Sequence, residues 1–456
     1  ASSIGSADFT YPSGDTIVGG QKLSVSAGTE YDTEELLKTI PLNLGNGNVI
    51  YLSDIANVQT TQEDADSIAR YNGEDTISIG IKKQQSASAV DVSKSVKQTI
   101  KTLMEKGAKV VVISHFGRPE GKGDMKNSLS HVAPELEKAL GHKVVFVDDC
   151  IGSKVEAAVK AMKGDEVLLL ENLRFYNEEK KGDEKFAEDL VKPADVYVSD
   201  AFSTAHRAHA SMVAAVKLRP SAMGLLMEEE VNALTTGLND PKRPLMAIVG
   251  GSKVSTKLDL LNNLVKKVDM LVISGGMAHT FMKASGIDTV NEANSLVQMD
   301  MIETAKEIMK TAKANNCEII LPKDVVVSKE FKANAEHKTV DLEHIPAEGW
   351  SLMDVGDKTI EAINKKMEEC KTLVWNGPLG VFELVPFDNA TNKVAQRAAV
   401  LTGEGRLTTV AGGGDTVSAL ENAGVANKFS YISTAGGAFL EWMEGKELPG
   451  VVVLKK

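Results

Sequence analysis

The stretch VVVISHFGRPEGKG, Val110 to Gly123, joins a continuous apolar run to a loop rich in glycine and charged residues. A run of this kind, without alternating polar residues, is typical of a parallel β-strand that is buried on both faces. The loop that follows it presents His115 and Arg118. Because ligands of open α/β sheets bind beyond the carboxyl ends of the strands, these two side chains are candidates for a binding site.

Comparable runs recur from about residue 98 onwards, separated by amphipathic segments such as SHVAPELEKAL and LDLLNNLVKKV. They are KVVFVDDC, EVLLLENLRF, VYVSDAF, PLMAIVGG, MLVISGG, EIILPKDVVV, TLVWNGP, LTTVAGGG and FSYISTAGG. Repeated strand–helix units predict the α/β class, with two doubly wound, Rossmann-like parallel-sheet lobes joined by a hinge. The earlier residues are rich in Ser, Thr, Gly, Asn and Asp, which predicts an atypical N-terminal α+β segment.

Length and composition exclude several classes of protein. With 456 residues and 43% hydrophobic content, the chain can fill two ordinary domains. Its net charge of −12 argues against a nucleic-acid binder held by bulk electrostatics. The sequence shows no apolar run of about 18 residues and no signal peptide, and its three isolated cysteines favour a reducing compartment. We therefore expect a cytoplasmic protein without a membrane or nucleic-acid partner.

The strand ends of the first half carry cationic side chains. Residues 114–118, 171–175 and 200–209 together supply three arginines and up to three histidines. A single arginine of this kind would most simply pair with a nearby surface acid. Three at equivalent strand ends predict a pocket for an anionic substrate, because guanidinium groups bind phosphate and carboxylate through two hydrogen bonds. His131 and His209 are interpreted as structural.

The strand ends of the second half carry glycines and lysines instead. VGGSKVSTK contains Lys253 and Lys257, ISGGM contains Gly275 and Gly276, and VAGGGDT contains Asp415. Glycine-rich turns expose backbone N–H groups at helix N-termini, where phosphate binds, although close helix–strand packing explains any one such turn equally well. No Walker A pattern is present and no G-x-G-x-x-G follows a strand, which excludes an ordinary P-loop or Rossmann site.

Two acidic residues, Asp415 and Glu383, could add contacts to a nucleotide in this second site. Asp415 could hold Mg²⁺ on the phosphates of a nucleotide. Glu383, in VWNGPLGVFE, could accept hydrogen bonds from ribose hydroxyls or be a solvated surface acid. An anion pocket on one lobe and a phosphate cradle on the other together predict phosphoryl transfer, which depends mainly on positioning and charge neutralisation.

Seven motifs, in this order, closely resemble phosphoglycerate kinases: SHFGRPEG, ENLRF, SDAFSTAHRAHAS, GGSKVSTK, VWNGPLGVFE, FDNAT and GGGDT. The resemblance runs from about residue 98 to the end. It implies phosphoryl transfer between 1,3-bisphosphoglycerate and ADP, with closure of the two lobes. It also implies a monomer with a triose-phosphate lobe (75–225), a nucleotide lobe (226–430) and a C-terminal segment that returns towards the first lobe (431–456); residues 1–74 form a separate segment, which resembles a different family.

The resemblance also implies roles for individual residues. The catalytic residues would be Lys257, Gly413, Gly436 and Arg207. The triose-phosphate site would comprise His115, Phe116, Gly117, Arg118, Arg174, His206 and Arg207. The nucleotide site would comprise Lys253, Lys257, Gly275, Gly276, Asn376, Glu383, Gly412, Gly413, Gly414, Asp415 and Thr416. Asp415 would be the metal ligand, for Mg²⁺ bound with ADP or ATP, and Gly437 would lie with Gly436 in a turn on the hinge side.

The residues before His115 depart from that family. Its members begin with a strand and loop resembling RVDFNVP and then an arginine in a DDTRI-like segment, and neither is found here. Residues of about 11–100 instead resemble the periplasmic porter region of a resistance-nodulation-division efflux transporter, which suggests a chimeric chain. We expect a helix across the junction, in SAVDVSKSVKQTIKTLMEKG, with an apolar stripe of Val92, Val96, Ile100 and Leu103. We also expect strand 75–83 to replace the lost first strand.

Three functions follow from these patterns. The first is a phosphoglycerate kinase, either fully active or weakened by the missing Asp, Asn and Arg. The alternative is a catalytically weak, nucleotide-binding chimera that carries an efflux-porter-like N-terminal module. In the third, the N-terminal segment is a porter-like binding or interaction module, and the kinase-like remainder of the chain only carries it.

Overall fold

A computed structural model describes the backbone of residues 9–18, 21–29, 41–43, 49–51, 70–71, 74–75, 89–105, 107–163, 165–433 and 435–455, and the side chains of the described residues from Lys97 onwards. The chain divides into two compact units, Ala1–Lys83 and Gln84–Lys456. Within the described residues of the first unit, the backbone forms three antiparallel strand pairs. These are β1 (Phe9–Val18) with β2 (Gln21–Thr29), β3 (Pro41–Asn43) with β4 (Val49–Tyr51), and β5 (Arg70–Tyr71) with β6 (Glu74–Asp75).

The second unit alternates strands and helices, as the apolar runs predict. Its strands are β7 (Val110–Val112), β8 (Lys143–Val147), β9 (Glu166–Leu170), β10 (Tyr197–Ser199), β11 (Ser221–Met223), β12 (Leu245–Gly250), β13 (Met270–Ser274), β14 (Glu318–Ile320), β15 (Asp324–Ser328), β16 (His337–Asp341), β17 (Ser351–Val355), β18 (Thr372–Asn376), β19 (Thr408–Ala411) and β20 (Tyr431–Ile432). The α/β class and the two-lobe arrangement are confirmed.

The helices of the second unit are α1 (Ala89–Glu105), α2 (Ala133–Leu140), α3 (Ser153–Ala161), α4 (Asn177–Lys181), α5 (Glu184–Val191), α6 (Ala215–Leu218), α7 (Leu225–Leu234), α8 (Leu258–Leu264), α9 (Gly276–Ala284), α10 (Ile302–Ala314), α11 (Asp357–Glu369), α12 (Asn389–Gly403), α13 (Gly414–Asn422), α14 (Gly436–Met443) and α15 (Pro449–Val452). Local sequence sets several of their ends. The Asp183 side chain caps α5 by accepting from the backbone N–H of Phe186. Gly141 ends α2 in the left-handed conformation.

The helix predicted across the junction is confirmed as α1. Ile100 and Leu103 of its predicted apolar stripe pack with Val110 and Val167 beneath it. The side chains of Val92 and Val96, and nearly all of the predicted strand 75–83, lie outside the described residues.

The first lobe is built around β7 to β11. Strand β9 lies between β7 and β8, and all three are parallel. Strands β10 and β11 form a separate parallel pair. The second lobe has a continuous parallel sheet in the order β14-β13-β12-β18-β19-β20. Every residue of β12, β13 and β18 is buried, which is why their sequences are apolar throughout.

One predicted parallel run is wrong. EIILPKDVVV divides into β14, in the six-stranded sheet, and β15, the middle strand of an antiparallel sheet in the order β16-β15-β17. Pro322 lies between the two strands. Proline lacks the N–H that a central strand needs, so the chain leaves one sheet there and enters another.

Candidate active site

The cationic residues of the first lobe lie on the loops that follow β7, β9 and β10. His115 follows β7, Arg174 lies in the 3₁₀ turn Leu173–Phe175 after β9, and His206, Arg207 and His209 follow β10. Arg118, Phe116 and Gly117 are exposed beside His115, and Arg207 is exposed on its own loop. The three segments lie close together, because Arg174 and His209 act on the charge of His115, and Arg118 and Arg207 act on that of Arg174. We call this cluster the basic patch: His115, Arg118, Arg174, His206, Arg207 and His209.

The charges of the basic patch influence one another. Burial, with the charges of Arg174 and His209 nearby, lowers the pKa of His115 to about 4. Burial likewise lowers the pKa of His209, and Arg174 and Arg207 lower it further. At neutral pH these histidines are therefore uncharged, and the arginines carry the positive charge of the patch.

One polar atom of the basic patch, Arg174 Nε, is buried without a hydrogen-bond partner. A buried polar atom without a partner has an appreciable free-energy cost, which is one reason such atoms mark binding sites. An anion that reached it would supply the missing acceptor for Arg174.

The loop that carries His115 and Arg118 is fixed by hydrogen bonds from the end of β9. Fully buried Asn172 donates to the carbonyl oxygens of Phe116 and Asn127, both at 2.7 Å. Arg174 donates through Nη1 to the carbonyl of Gly117 at 2.9 Å. Asn172 was not predicted from the sequence as a site residue. The available signal was its position, because an asparagine directly after a buried strand is suited to bonding nearby backbone.

The second lobe contains a cavity of about 500 Å³ at the carboxyl ends of its strands. Of the residues predicted for the nucleotide site, it is lined by Lys257, Gly275, Gly276, Asn376, Glu383, Gly413, Gly414, Asp415 and Thr416. Its remaining lining is largely apolar and includes Leu296, Pro322, Val325 and Leu352. The cavity thus combines a polar end, at the turns after β12, β18 and β19, with an apolar end suited to a flat ring.

Lys257 is the cation of this cavity. Its Nζ donates to the carbonyl of Gly250 at 2.7 Å and to Asn376 Oδ1 at 2.6 Å. Burial lowers its pKa to about 8, against the opposing effect of the Asp415 carboxylate. Lys253, predicted together with it, is exposed and does not line the cavity. The two lysines are separated because a 3₁₀ turn, Val254–Thr256, lies between them and α8 begins only at Leu258.

Glycines allow the turns around the cavity to approach one another. Gly413 has φ +97° at the N-cap of α13, where a side chain would meet Asn376 Nδ2 at 2.6 Å. Gly412 was also predicted for the nucleotide site, but it lies against the ring of Phe439 and does not line the cavity. Its carbonyl oxygen accepts a hydrogen bond from Asn376 Nδ2 at 2.7 Å. Thr416 is buried, and its hydroxyl accepts from the N–H of Gly377 at 2.6 Å. Asp415, on the first turn of α13, is exposed to the cavity.

The two lobes meet beside the basic patch. A methyl group placed on Gly437 would come within 3.2 Å of the His206 imidazole. Gly436 and Gly437 begin α14, which contacts the 3₁₀ turn Phe202–Thr204 of the first lobe. The N-terminus of α14 therefore approaches the basic patch from the second lobe, where its dipole favours negative charge.

Comparisons with known proteins agree with this arrangement. The phosphoglycerate kinase family model matches residues 80–446, and the AcrB/AcrD/AcrF family model matches residues 2–133. The phosphoglycerate kinase of Rhodospirillum centenum is 55% identical over 356 residues, which are 78% of this chain and 89% of that protein. That of Methylorubrum extorquens (strain PA1) is 54% identical over 357 residues, with 78% and 88% covered.

Two solved structures have the same fold. Phosphoglycerate kinase from Coxiella burnetii gives a TM-score of 0.74 at 36% identity, covering 82% of this chain and 93% of that chain. The enzyme from Pyrococcus horikoshii gives 0.65 at 30% identity, covering 80% and 90%. By its sequence and its fold, the chain belongs to the phosphoglycerate kinase family.

Proposed function

We propose that the basic patch holds the triose phosphate and that the cavity of the second lobe holds ADP or ATP. The reaction is that of a phosphoglycerate kinase, in which 1,3-bisphosphoglycerate and ADP give 3-phosphoglycerate and ATP. The observation that carries the assignment of the triose-phosphate site is the unpartnered buried Nε atom of Arg174 in the basic patch. A bound anion satisfies the arginine, whereas a purely structural cluster would leave it without an acceptor.

Each lobe would contribute a separate part of the catalysis. Arg118, Arg174 and Arg207 bind and orient the phosphate and carboxylate of the triose. Lys257 neutralises charge on the nucleotide phosphates and on the transferring group. The backbone N–H groups at the starts of α13 and α14, near Gly413 and Gly436, add further hydrogen-bond donors. Closure of the lobes would bring the two substrates in line and exclude water.

The cavity also suits a Mg²⁺ ion that arrives with the nucleotide. Asp415 is an exposed carboxylate on the first turn of α13, close enough to Lys257 to affect its pKa. Among the described residues there is no cluster of three or more His, Cys, Asp or Glu side chains that could hold a metal. One carboxylate is sufficient here, because Mg²⁺ takes most of its ligands from phosphate and water. Mg²⁺ would neutralise phosphate charge.

The chain is proposed to be a chimera. Its two family matches overlap only in residues 80–133, and the sequence before His115 contains neither the RVDFNVP-like nor the DDTRI-like segment of the kinases. We expect turnover below that of a full-length relative, because an arginine on the transferring group contributes orders of magnitude to such rates. Identity of 55% to a kinase over 78% of the chain favours the enzyme over the non-catalytic nucleotide-binding alternative.

The remaining assignments concern the binding partners, the oligomeric state and the cellular location of the protein. We propose small-molecule partners alone, a monomeric state and a cytoplasmic location, in keeping with a glycolytic enzyme. Among the residues that the structure describes, no helix is both long and apolar enough to cross a membrane.

A coupled assay tests the proposed function. ATP and 3-phosphoglycerate are supplied, and formation of 1,3-bisphosphoglycerate is followed through NADH oxidation by glyceraldehyde-3-phosphate dehydrogenase. We expect measurable, 3-phosphoglycerate-dependent turnover. Calorimetric titration with ADP and Mg²⁺ serves as the control. Binding of ADP with no turnover at any enzyme concentration would support the nucleotide-binding alternative, and absence of both would contradict the assignment of the cavity.

A further inference from the structure

His279 is a buried histidine in the wall of the second-lobe cavity. It lies on α9, is 9% exposed, and is the only histidine among the described residues that line the cavity. Met282, three residues further along the same face of α9, also lines the cavity and packs in one core cluster with Val325 and Leu352. His279 therefore places an imidazole at the apolar end of the cavity.

One ring nitrogen of His279 is occupied by the backbone. Leu296 donates its N–H to Nδ1 at 3.1 Å. A ring nitrogen that accepts a hydrogen bond carries no proton, so a neutral imidazole in this arrangement has its proton on Nε2. Burial lowers the pKa of His279 to about 4, so the ring is neutral at physiological pH. The side chain is therefore fixed as the Nε2–H tautomer.

The other ring nitrogen can bind a ligand. Among the described residues, Leu296 is the only hydrogen-bond partner of the His279 side chain, and it occupies Nδ1. Nε2 differs from Arg174 Nε, which is sealed from solvent, because Nε2 retains contact with open space. Since His279 lines the cavity, its Nε2–H group is a hydrogen-bond donor that a ligand in the cavity can reach.

The imidazole is held in place by the segment that follows α9. Leu296 anchors Nδ1, and the N–H of Gln298 donates to the hydroxyl of Thr280, the next residue of the helix, at 3.0 Å. Val297, between these two anchors, is buried. A donor that is already held in position loses little conformational freedom on binding, so its hydrogen bond contributes more to affinity.

A purine base presents suitable acceptors at its edge. Its ring contains unprotonated nitrogens, such as N7 and N3 of adenine, whose lone pairs point outward in the plane of the ring. Apolar walls contact the faces of many flat groups, whereas a buried donor at the edge rejects a group that lacks the acceptor. The phosphates would bind at the polar end, beside Lys257 and Asp415, so the base is the part of a nucleotide that would lie near His279.

We propose that His279 is a specificity-determining residue, which donates a hydrogen bond from Nε2 to an unprotonated ring nitrogen of the purine base. The proposal rests on the proposed function, in which the cavity holds ADP or ATP. It adds to that function a means of selecting the base by hydrogen bonding as well as by the fit of a flat ring between apolar walls.

Calorimetric titration of the full chain, in the presence of Mg²⁺, compares ADP with three analogues. In 1-deaza-ADP, 3-deaza-ADP and 7-deaza-ADP, one ring nitrogen is replaced by a C–H group, which removes one acceptor and keeps the shape of the base. We expect at least one analogue to bind about tenfold more weakly than ADP, as for one lost hydrogen bond that leaves a buried donor unpaired.

His279→Asn separates this contact from the structural role of the residue. The asparagine oxygen replaces Nδ1 as the acceptor for the N–H of Leu296, but nothing replaces the Nε2 donor. Affinity for ADP should fall about tenfold, while affinity for the analogue that lacks the contacted nitrogen should stay the same, so the preference for ADP disappears. Hydrogen exchange at the Leu296 amide reports the structural bond and should stay slow in this variant.

Two further variants complete the test. His279→Gln, whose amide nitrogen can take the position of Nε2, should retain the preference for ADP. Thr280→Val is the matched control, because it removes the hydroxyl that accepts from Gln298 and so loosens the same segment, although Thr280 does not line the cavity. It should change the affinities for ADP and for all three analogues by the same factor.

The outcomes separate this contact from the proposed function. Loss of the preference in His279→Asn, but not in Thr280→Val, supports the contact. Equal binding of ADP and all three analogues to the unmodified chain, or a preference that survives His279→Asn, overturns it. In both of those cases ADP still binds, so the proposed function stands. Absence of ADP binding to the unmodified chain contradicts the assignment of the cavity, and the contact with it.

Discussion

The two lobes present the groups that we propose to bind anions on sheets of different size among the described residues. In the second lobe, six parallel strands form one sheet, and β12, β13 and β18 are buried along their whole length. In the first lobe, the described strands form a sheet of three and a sheet of two. Yet both lobes deliver charged side chains to the carboxyl ends of their strands.

The difference shows that a binding loop can be positioned in two ways. In the second lobe, close backbone approach at Gly250 and Gly377 adds to the side-chain hydrogen bonds of Asn376 and Thr416. In the first lobe, the side chains of Asn172 and Arg174 hold the loop after β7. Single substitutions should therefore affect the first site through this loop as well as through charge, and substitution of Lys257 should affect the second site through its charge. The following experiments test that distinction.

The largest effect is expected from Lys257→Met. This change removes the cation that lies between Gly250 O and Asn376 Oδ1 in the cavity. Turnover in the coupled assay should fall about 10²–10³-fold, as for loss of one preorganised charge-stabilising group. Lys253→Met is the matched control, because Lys253 is exposed and outside the cavity. Equal losses in both variants would contradict the separation of the two lysines.

Arg174→Met should act on one substrate only. Loss of its charge-assisted hydrogen bonds should raise the KM for 3-phosphoglycerate about 10–100-fold. The KM for ATP should stay within about twofold, since the cavity lies on the other lobe. Arg219→Met is the control within the same lobe, where that guanidinium bonds the carbonyl of Ala194. A comparable rise in both KM values would show that the sites are not separable.

Asn172→Ala should loosen the loop without removing a charge. The carbonyls of Phe116 and Asn127 lose their 2.7 Å hydrogen bonds, at a cost of about 1–3 kcal/mol. Hydrogen exchange should become faster in residues 116–128, and the KM for 3-phosphoglycerate should rise less than in Arg174→Met. Asn364→Ala is the matched control, because Asn364 Oδ1 has no hydrogen-bond partner to lose. Unchanged exchange in the loop would contradict the role of Asn172.

The smallest effect is expected from pH. Lys257 has a pKa lowered from 10.5 to about 8, so it is charged below pH 8 and neutral above it. Since the charged form is the active one, kcat/KM for ATP should halve near pH 8 and fall roughly tenfold by pH 9. Lys257→Arg, which stays charged, should show a flat profile over this range. His115, with a pKa of about 4, should add no inflection between pH 5 and 8.

The sequence predicted the architecture because its signals were local. Continuous apolar runs identify buried strands, and the stripe that includes Ile100 identifies α1. EIILPKDVVV was misassigned as one run, because only tertiary packing shows that β14 and β15 belong to different sheets. The prediction for strand 75–83 remains a prediction.

The site was predicted less completely. Strand ends identified Arg174, Arg207 and Lys257, because loops after parallel strands converge. The exposure of Lys253 depends on where a turn ends. The role of Asn172 in holding the loop depends on hydrogen-bond partners 45 or more residues away in the sequence. Neither is visible in local sequence.

The contacts of α15 bear on the order in which the protein is made. Gly450 donates a backbone hydrogen bond to the carbonyl of Ala205 at 2.9 Å, and Leu448 and Val451 share a core cluster with Phe202, Ala205 and Met212. A ribosome synthesises Phe202, Ala205 and Met212 more than 200 residues before Leu448 and Val451. The packing around the loop that carries His206 and Arg207 is therefore completed only after residues 448–451 have been synthesised. Until then, that part of the basic patch lacks its support.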